Sequence, residues 1–262
     1  MRPNYLPIET PKEEEEPAVP QIKINKQRIS CSLVLFDLDG TLVDKDFRSV
    51  ALAKARYSAI KRIAGEPAAR RWAELSGVEL DSFEVDDNGP LSKAPRKEDL
   101  TVATTAIWLD GLNWFHAKEI ATQAYAEADA VQSTEFKVEL IPGTEESLKE
   151  MRKAGCKLGI ATNGSGKTAR ELMEAINVDG LFDVYVGADE VTEGKPMPDM
   201  IIEACSRLGV DPGDCVYVGD EFVDAVASTR AGCVGVVIVS REPDVSEYEA
   251  FVVDSVADIE VG

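Results

Sequence analysis

Histidine is almost absent from this sequence: His116 stands alone among 262 residues. One imidazole cannot build a zinc site by itself. Cysteine gives no help, because the five cysteines (Cys31, Cys156, Cys205, Cys215 and Cys233) are odd in number and show no CxxC spacing. That argues against a zinc ribbon and against a disulfide framework, and leaves most of them as small, reduced, buried apolar residues. Long apolar runs are also missing, and nothing approaches the roughly 20 residues needed to cross a bilayer. The first residues carry no apolar signal core and are rich in acid, unlike organelle transit peptides. A soluble, cytoplasmic protein is expected. Positive charge is scarce, with 28 Lys and Arg against 48 Asp and Glu, a formal net charge of −20. Such a balance disfavours DNA, RNA and anionic membranes as partners, since their phosphates would be repelled. Halophilic adaptation would also produce acidity, but the many lysines speak against it.

What the chain does have is apolar residues in ordered blocks, 44% of the sequence by composition. Its length predicts one large domain and a smaller one. Residues 1–28 hold prolines and the run Glu13-Glu14-Glu15-Glu16, which reads as a solvated, disordered tail. From Cys31 onward the pattern changes. A short, wholly apolar segment occurs at 33–36, and similar, largely apolar ones at 157–161, 183–187, 215–219 and 235–239. Helical patterns lie between the later ones, near 144–154, 167–176, 198–208 and 221–231. Continuous apolar strands alternating with helices predict a parallel sheet covered on both faces. The fold class is therefore α/β, a doubly wound, Rossmann-like sheet.

Residues 46–137 break that alternation. They contain no convincing strand and carry apolar residues at helical spacing near 46–64, 67–76, 97–110 and 114–130. An all-helical insertion is expected there, with core segments at 29–45 and 138–262. Trp108, Leu109, Leu112, Trp114 and Phe115 are expected to pack inside the insertion, with His116 packing beside them.

Ligands of open α/β sheets bind beyond the carboxyl ends of the strands. The first apolar strand ends in Asp37-Leu38-Asp39-Gly40-Thr41, and the second in Thr162-Asn163-Gly164. Lys195-Pro196 follows the third, and the fourth ends in Gly219-Asp220-Glu221 with Asp224 one helical turn on. Carboxylates, small donors and one lysine thus gather at one edge. A hard cation such as magnesium takes oxygen ligands, commonly one or two carboxylates plus waters and phosphate oxygens. Asp37 and Asp220 can supply those, and Asp224, at i+4 from Asp220, can hold a coordinating water. A carboxylate can also attack phosphorus, and Asp37 is placed to do so. Asp39 shares its direction along the extended chain and can protonate a leaving oxygen. Thr162 and backbone N–H groups can bond the transferring group while Lys195 neutralises its charge.

At these residues the sequence resembles the haloacid dehalogenase superfamily. LVLFDLDGTLVD is similar to its first motif, IATN to its second, EGKPMPD to its lysine motif and VGDEFVD to its acidic fourth motif. The likeness covers residues 31–45 and 138–262, and the helical block resembles the family's C1 cap in position. The resemblance implies a magnesium-dependent phosphatase acting on a small phosphorylated metabolite. It places catalysis on Asp37 and Asp39, phosphate binding on Thr162, Asn163 and Lys195, and metal binding on Asp37, Asp39, Asp220 and Asp224. Asp39 points to phosphoryl transfer, because dehalogenases of the superfamily lack the second aspartate. Phosphoglycolate phosphatases and β-phosphoglucomutase-like enzymes are nearest in character. A sugar phosphomutase would share every core residue, and a non-catalytic phosphate- or partner-binding protein on the same fold is the third reading. A monomer is the default expectation.

Two further signals are weaker. Gly164-Ser165-Gly166-Lys167-Thr168 resembles the end of a P-loop, but Ala161 stands where the pattern needs glycine. Arg70 and Arg71 are expected to face solvent, as are Arg96 and Lys97, although the last two could reach a substrate anion.

Overall fold

The computed structural model describes residues 19–135, 138–240 and 248–262. Strands β1 (Gln21–Ile24) and β2 (Gln27–Ser30) form an antiparallel hairpin. This corrects the expected tail, of which residues 1–18 lie outside the described residues. The hairpin turns at Asn25 and Lys26, both at positive φ (49° and 72°), the geometry that suits a two-residue connection. Ile22 and Ile24 are fully buried and anchor the hairpin to the core.

Strand β3 (Leu33–Phe36) is buried along its whole length. Alternate residues serve opposite faces: Val34 and Phe36 join one apolar cluster, Leu33 and Leu35 another. The chain then enters a helical block of α1 (Lys45–Ala64), α2 (Glu66–Ser76), the short α3 (Pro90–Lys93), α4 (Arg96–Trp108) and α5 (Trp114–Glu135). It returns through α6 (Thr144–Lys153), β4 (Lys157–Thr162), α7 (Gly166–Ala175), β5 (Val184–Gly187), α8 (Asp199–Leu208), β6 (Cys215–Gly219), α9 (Phe222–Ala231), β7 (Gly235–Val239), β8 (Phe251–Val253) and β9 (Glu260–Val261).

Six strands form one parallel sheet in the order β5-β4-β3-β6-β7-β8, while β9 pairs with β1 in a small separate sheet. Helices α6 and α7 pack on one face, α8 and α9 on the other. From β3 the sheet grows outward through β4 and β5, then resumes on the far side at β6. The connections diverge at the carboxyl ends of β3 and β6, the place where such sheets open a crevice.

The helical block has its own core around Trp72 and Tyr125, lined by Ala53, Ala117, Ala121 and Ala124. Small residues on the facing helices α1 and α5 let their backbones approach closely. Trp108, Leu109, Trp114 and Phe115 are not part of that core. They flank the turn between α4 and α5 at 40–78% exposure, and only Leu112 packs partly against the core. His116 is exposed as well. The inward positions are filled instead by Ala103, Ala106, Ile107 and Ala117, which leaves the turn outside. The two linkers of the block run side by side: Val43 bridges Leu140, and the Ile141 N–H donates to the Leu42 carbonyl at 2.8 Å.

Among the described residues no helix is long and apolar enough to cross a membrane. Packing beneath the site is tight at Gly159 on β4. A Cβ there would stand 2.5 Å from Val184 Cγ1 and 2.7 Å from Leu35 Cδ2. Gly159→Ala is expected to lower stability by about 1–3 kcal/mol through overpacking, read as a fall in the urea midpoint at unchanged slope.

Candidate functional site

Asp37 follows β3 directly, and its N–H donates to the Val218 carbonyl of β6 at 2.8 Å. The strand register thereby sets its side chain against the end of β6. Gly40, at φ +79°, turns the chain there, and a Cβ on it would fall 2.1 Å from Asp220 Oδ2. Only glycine allows Asp220 that close. The Thr41 hydroxyl donates to Asp220 Oδ1 at 3.2 Å. The result is that carboxylate oxygens of Asp37, Asp220 and Asp224 lie within 4.8 Å of one another.

Lys195 holds two of these carboxylates together. Its Nζ lies 2.9 Å from Asp37 Oδ1 and donates to Asp224 Oδ1 at 2.7 Å and to the Tyr217 hydroxyl at 3.2 Å. The side chain is only 2% exposed. Burial alone would lower its pKa, but Asp224 and Asp37 outweigh that and hold it well above the ordinary lysine value. Asn163, expected to face a phosphate, uses both ends of its amide on the Lys195 backbone: Oδ1 accepts from its N–H at 2.7 Å, and Nδ2 donates to its carbonyl at 3.2 Å. Thr162 is buried beside it, its Oγ1 accepting from the Gly164 N–H at 3.1 Å.

Asp224 is fully buried. Besides Lys195, it accepts from the backbone N–H groups of Asp220 and Glu221, at 3.2 and 3.0 Å. It therefore shapes the loop that carries Asp220. Gly219 makes room for it, since a Cβ there would sit 2.3 Å from Asp224 Cγ.

One lysine does not balance three clustered carboxylates. Burial raises Asp37 to about 7, helped by the charges of Asp224 and Asp39 and opposed by Lys195. Burial, then Asp37, Asp224 and Glu221, raise Asp220 to about 8. Such a donor set, all oxygen and short of positive charge, suits a hard divalent cation. Asp39 is not part of the trio. Its carboxylate is ion-paired with Arg48 of α1, which sequence reasoning did not single out.

The helical block closes over this edge through polar contacts. Glu221 Oε1 accepts from Lys45 and Lys93, at 2.8 and 2.7 Å. Although burial alone would raise its pKa, those two lysines hold the carboxyl below its ordinary value. The Arg96 N–H donates to the Asn163 carbonyl at 3.0 Å, and Lys97 Nζ to the carbonyls of Val191 and Thr192. Beneath lies a cavity of about 130 Å³ lined by Asp37, Asp39, Thr162 and Lys195 from below and by Arg48 and Arg56 from above. Lys167, the lysine of the near P-loop, is instead 83% exposed beside Glu171.

A family model described as haloacid dehalogenase-like hydrolase matches residues 31–232. The phosphoglycolate phosphatase of Salmonella typhi is 28% identical over 237 residues, covering 83% of this chain and 88% of that protein. The N-acetylmuramic acid 6-phosphate phosphatase of Pseudomonas aeruginosa is 29% identical over 216 residues, covering 79% and 80%. Among solved structures, CbbY from Rhodobacter sphaeroides in complex with phosphate is similar in fold. Its TM-score is 0.61 at 23% identity, over 87% of this chain and 95% of that one.

The raised carboxyls carry a testable consequence. Without a cation, the folded site retains protons on Asp37 and Asp220 that a free carboxyl near 3.8 has already lost. Stability from these groups is therefore present at low pH and fades as pH rises toward their folded values. A divalent cation replaces those protons. Millimolar magnesium is expected to raise Tm, with a larger gain at about pH 8 than at about pH 5.5, measured by thermal scanning. An equal gain at both values would contradict a carboxylate-held cation.

Proposed function

The chain belongs to the haloacid dehalogenase-like hydrolase family, and on that basis we propose that it hydrolyses a small phosphate monoester through an aspartyl-phosphate on Asp37. The observation that carries this reading is the meeting of Asp37, Asp220, Asp224 and Lys195 at the carboxyl ends of β3 and β6, beside a small cavity. A volume of about 130 Å³ falls below the usual 300–1,000 Å³ of drug-sized pockets and favours a metabolite of a few carbons. The curated relatives named as phosphatases point the same way.

Asp37 and Asp220 would hold a magnesium ion directly, with Asp224 acting through a water because its carboxylate already accepts from Lys195 and from the Asp220 and Glu221 N–H groups. When bound, that ion supplies positive charge to the phosphoryl oxygens and favours ionised Asp37. Asp37 then attacks phosphorus in line, and the ester oxygen leaves. Asp39 gives that oxygen its proton and later takes one from the water that cleaves the acyl phosphate. For this its carboxyl must turn from Arg48 toward the ester oxygen, since the pair is made in the absence of substrate. Lys195 lies against Asp37 and meets the developing charge, fixed in place by Asn163 and Asp224. Thr162 offers its hydroxyl from the end of β4. The lid formed by Lys93, Arg96 and Lys97 limits bulk water around the reacting group.

Asp37→Asn is expected to fold and to lose at least about a thousandfold of magnesium-dependent phosphate release from an aryl phosphate. Retained turnover would remove Asp37 as the nucleophile. Asp39→Asn should cost about a hundredfold or more on an alkyl phosphate but distinctly less on 4-nitrophenyl phosphate, whose leaving group needs little protonation. Equal losses on both esters would deny Asp39 the proton-transfer role.

A further inference from the structure

Among the described residues the Lys195 ammonium nitrogen has three oxygen neighbours within hydrogen-bond reach. Asp224 Oδ1 lies at 2.7 Å, Asp37 Oδ1 at 2.9 Å and the Tyr217 hydroxyl at 3.2 Å. An ammonium group carries three N–H donors and no acceptor. Each donor therefore has one oxygen to serve, and none is left over for a phosphoryl group. Yet Lys195 lines the cavity together with Asp37 and Thr162, on the edge where the phosphoryl group has to lie. Binding must take one N–H away from a partner that already holds it.

The three partners are not equal. Asp37 and Asp224 are carboxylates, and hydrogen bonds to charged acceptors are roughly twice as strong as neutral ones. Tyr217 is neutral and the most distant of the three. Its side chain is fully buried in an apolar cluster with Leu33, Leu35 and Ala161 and does not line the cavity. It can act on a ligand only through Lys195. The same hydroxyl donates to the Ala161 carbonyl at 2.9 Å, so it keeps a partner if Lys195 turns away, and no buried polar group is orphaned. Of the three bonds, the one to Tyr217 is the least costly to break.

We propose that Tyr217 is a positioning residue that competes with phosphate for one N–H of Lys195. Its hydroxyl holds that donor before a phosphoryl group arrives, keeps the ammonium between Asp37 and Asp224, and gives the donor up to a phosphoryl oxygen. The exchange also runs backward: Tyr217 reclaims the N–H as inorganic phosphate leaves. The residue thus sets how firmly the site retains its product. The inference rests on the phosphatase reading and adds to it a determinant of phosphate release, with no part for Tyr217 in bond breaking.

The test is the affinity of the full chain for inorganic phosphate with millimolar magnesium present, unmodified and as Tyr217→Phe. It is measured by calorimetry and as competitive inhibition of 4-nitrophenyl phosphate hydrolysis. The substitution keeps the ring in its apolar cluster and removes the competing hydroxyl. Tyr217→Leu, which also lacks the hydroxyl, is read in the same way if the first variant does not fold. Without the competitor, Kd for phosphate is expected to fall about fivefold, equivalent to about 1 kcal/mol. KM for 4-nitrophenyl phosphate should fall with it while kcat does not rise, since a product held more tightly leaves more slowly. A merely structural role has the opposite sign, because a damaged site binds phosphate more weakly. Unchanged or weaker phosphate binding in the variant, with turnover by the unmodified protein, overturns the role of Tyr217 and leaves the phosphatase reading standing. Absence of both phosphate binding and turnover in the unmodified protein overturns both.

Discussion

A single buried ammonium group holds this molecule's active edge together. Lys195 lies between Asp37, at the end of β3, and Asp224, at the start of α9, and touches Tyr217 of β6. Remove its charge, and two carboxylates would face each other in a desolvated pocket, an arrangement costing several kcal/mol. Each neighbour serves that contact. Asn163 from β4 grips the lysine's backbone, and the Tyr217 hydroxyl donates to the Ala161 carbonyl at 2.9 Å. Three adjacent strands are therefore tied to one cation, and the sheet order follows the same logic as the site.

The helical block meets that edge with a different economy of forces. Its interior rests on close alanine packing around Trp72 and Tyr125 and owes nothing to the sheet. Its grip on the core is polar, through Lys45 and Lys93 on Glu221, Arg48 on Asp39, and the Arg96 N–H on Asn163. Ionic contacts of this kind, partly open to solvent, are individually weak. Such contacts hold the block against the edge more loosely than an apolar seam would. Glu221 adjoins Asp220, so closure and the arrangement of the carboxylate trio share one short loop.

Sequence and structure meet most closely where information is local. Wholly apolar runs such as 33–36 and 215–219 announce buried parallel strands, because both faces need apolar side chains. The residues just beyond those runs are placed by the strand ends themselves, which is why Asp37, Thr162 and Asp220 could be named in advance and are found along one edge, while Lys195, in the loop between β5 and α8, was named from its motif. The hairpin β1–β2 was hidden for an equally physical reason. Its strands are four residues each and carry charge on their outward faces, and its turn contains Lys26 at positive φ where glycine would have signalled a reversal. Arg48 and Arg56 were invisible because their partners, Asp39 and Asp99, are fixed by how α1 lies against the core and α4, not by sequence spacing. The aromatic residues around Asp110-Gly111 misled in the opposite direction. Apolar character suggested burial, but their position at a turn leaves their side chains outside.

The bridge between Val43 and Leu140 has a consequence for how such a protein can change over time. Because the departing and returning strands of chain meet as neighbours, the ninety-odd residues between them amount, for the sheet, to one long loop. Their removal or exchange would leave the register of β3 against β4 and β6 untouched. The helical block can therefore drift, lengthen or be swapped wholesale while the residues at the strand ends keep their places. Anyone wishing to retarget this scaffold has a natural seam at which to cut and graft.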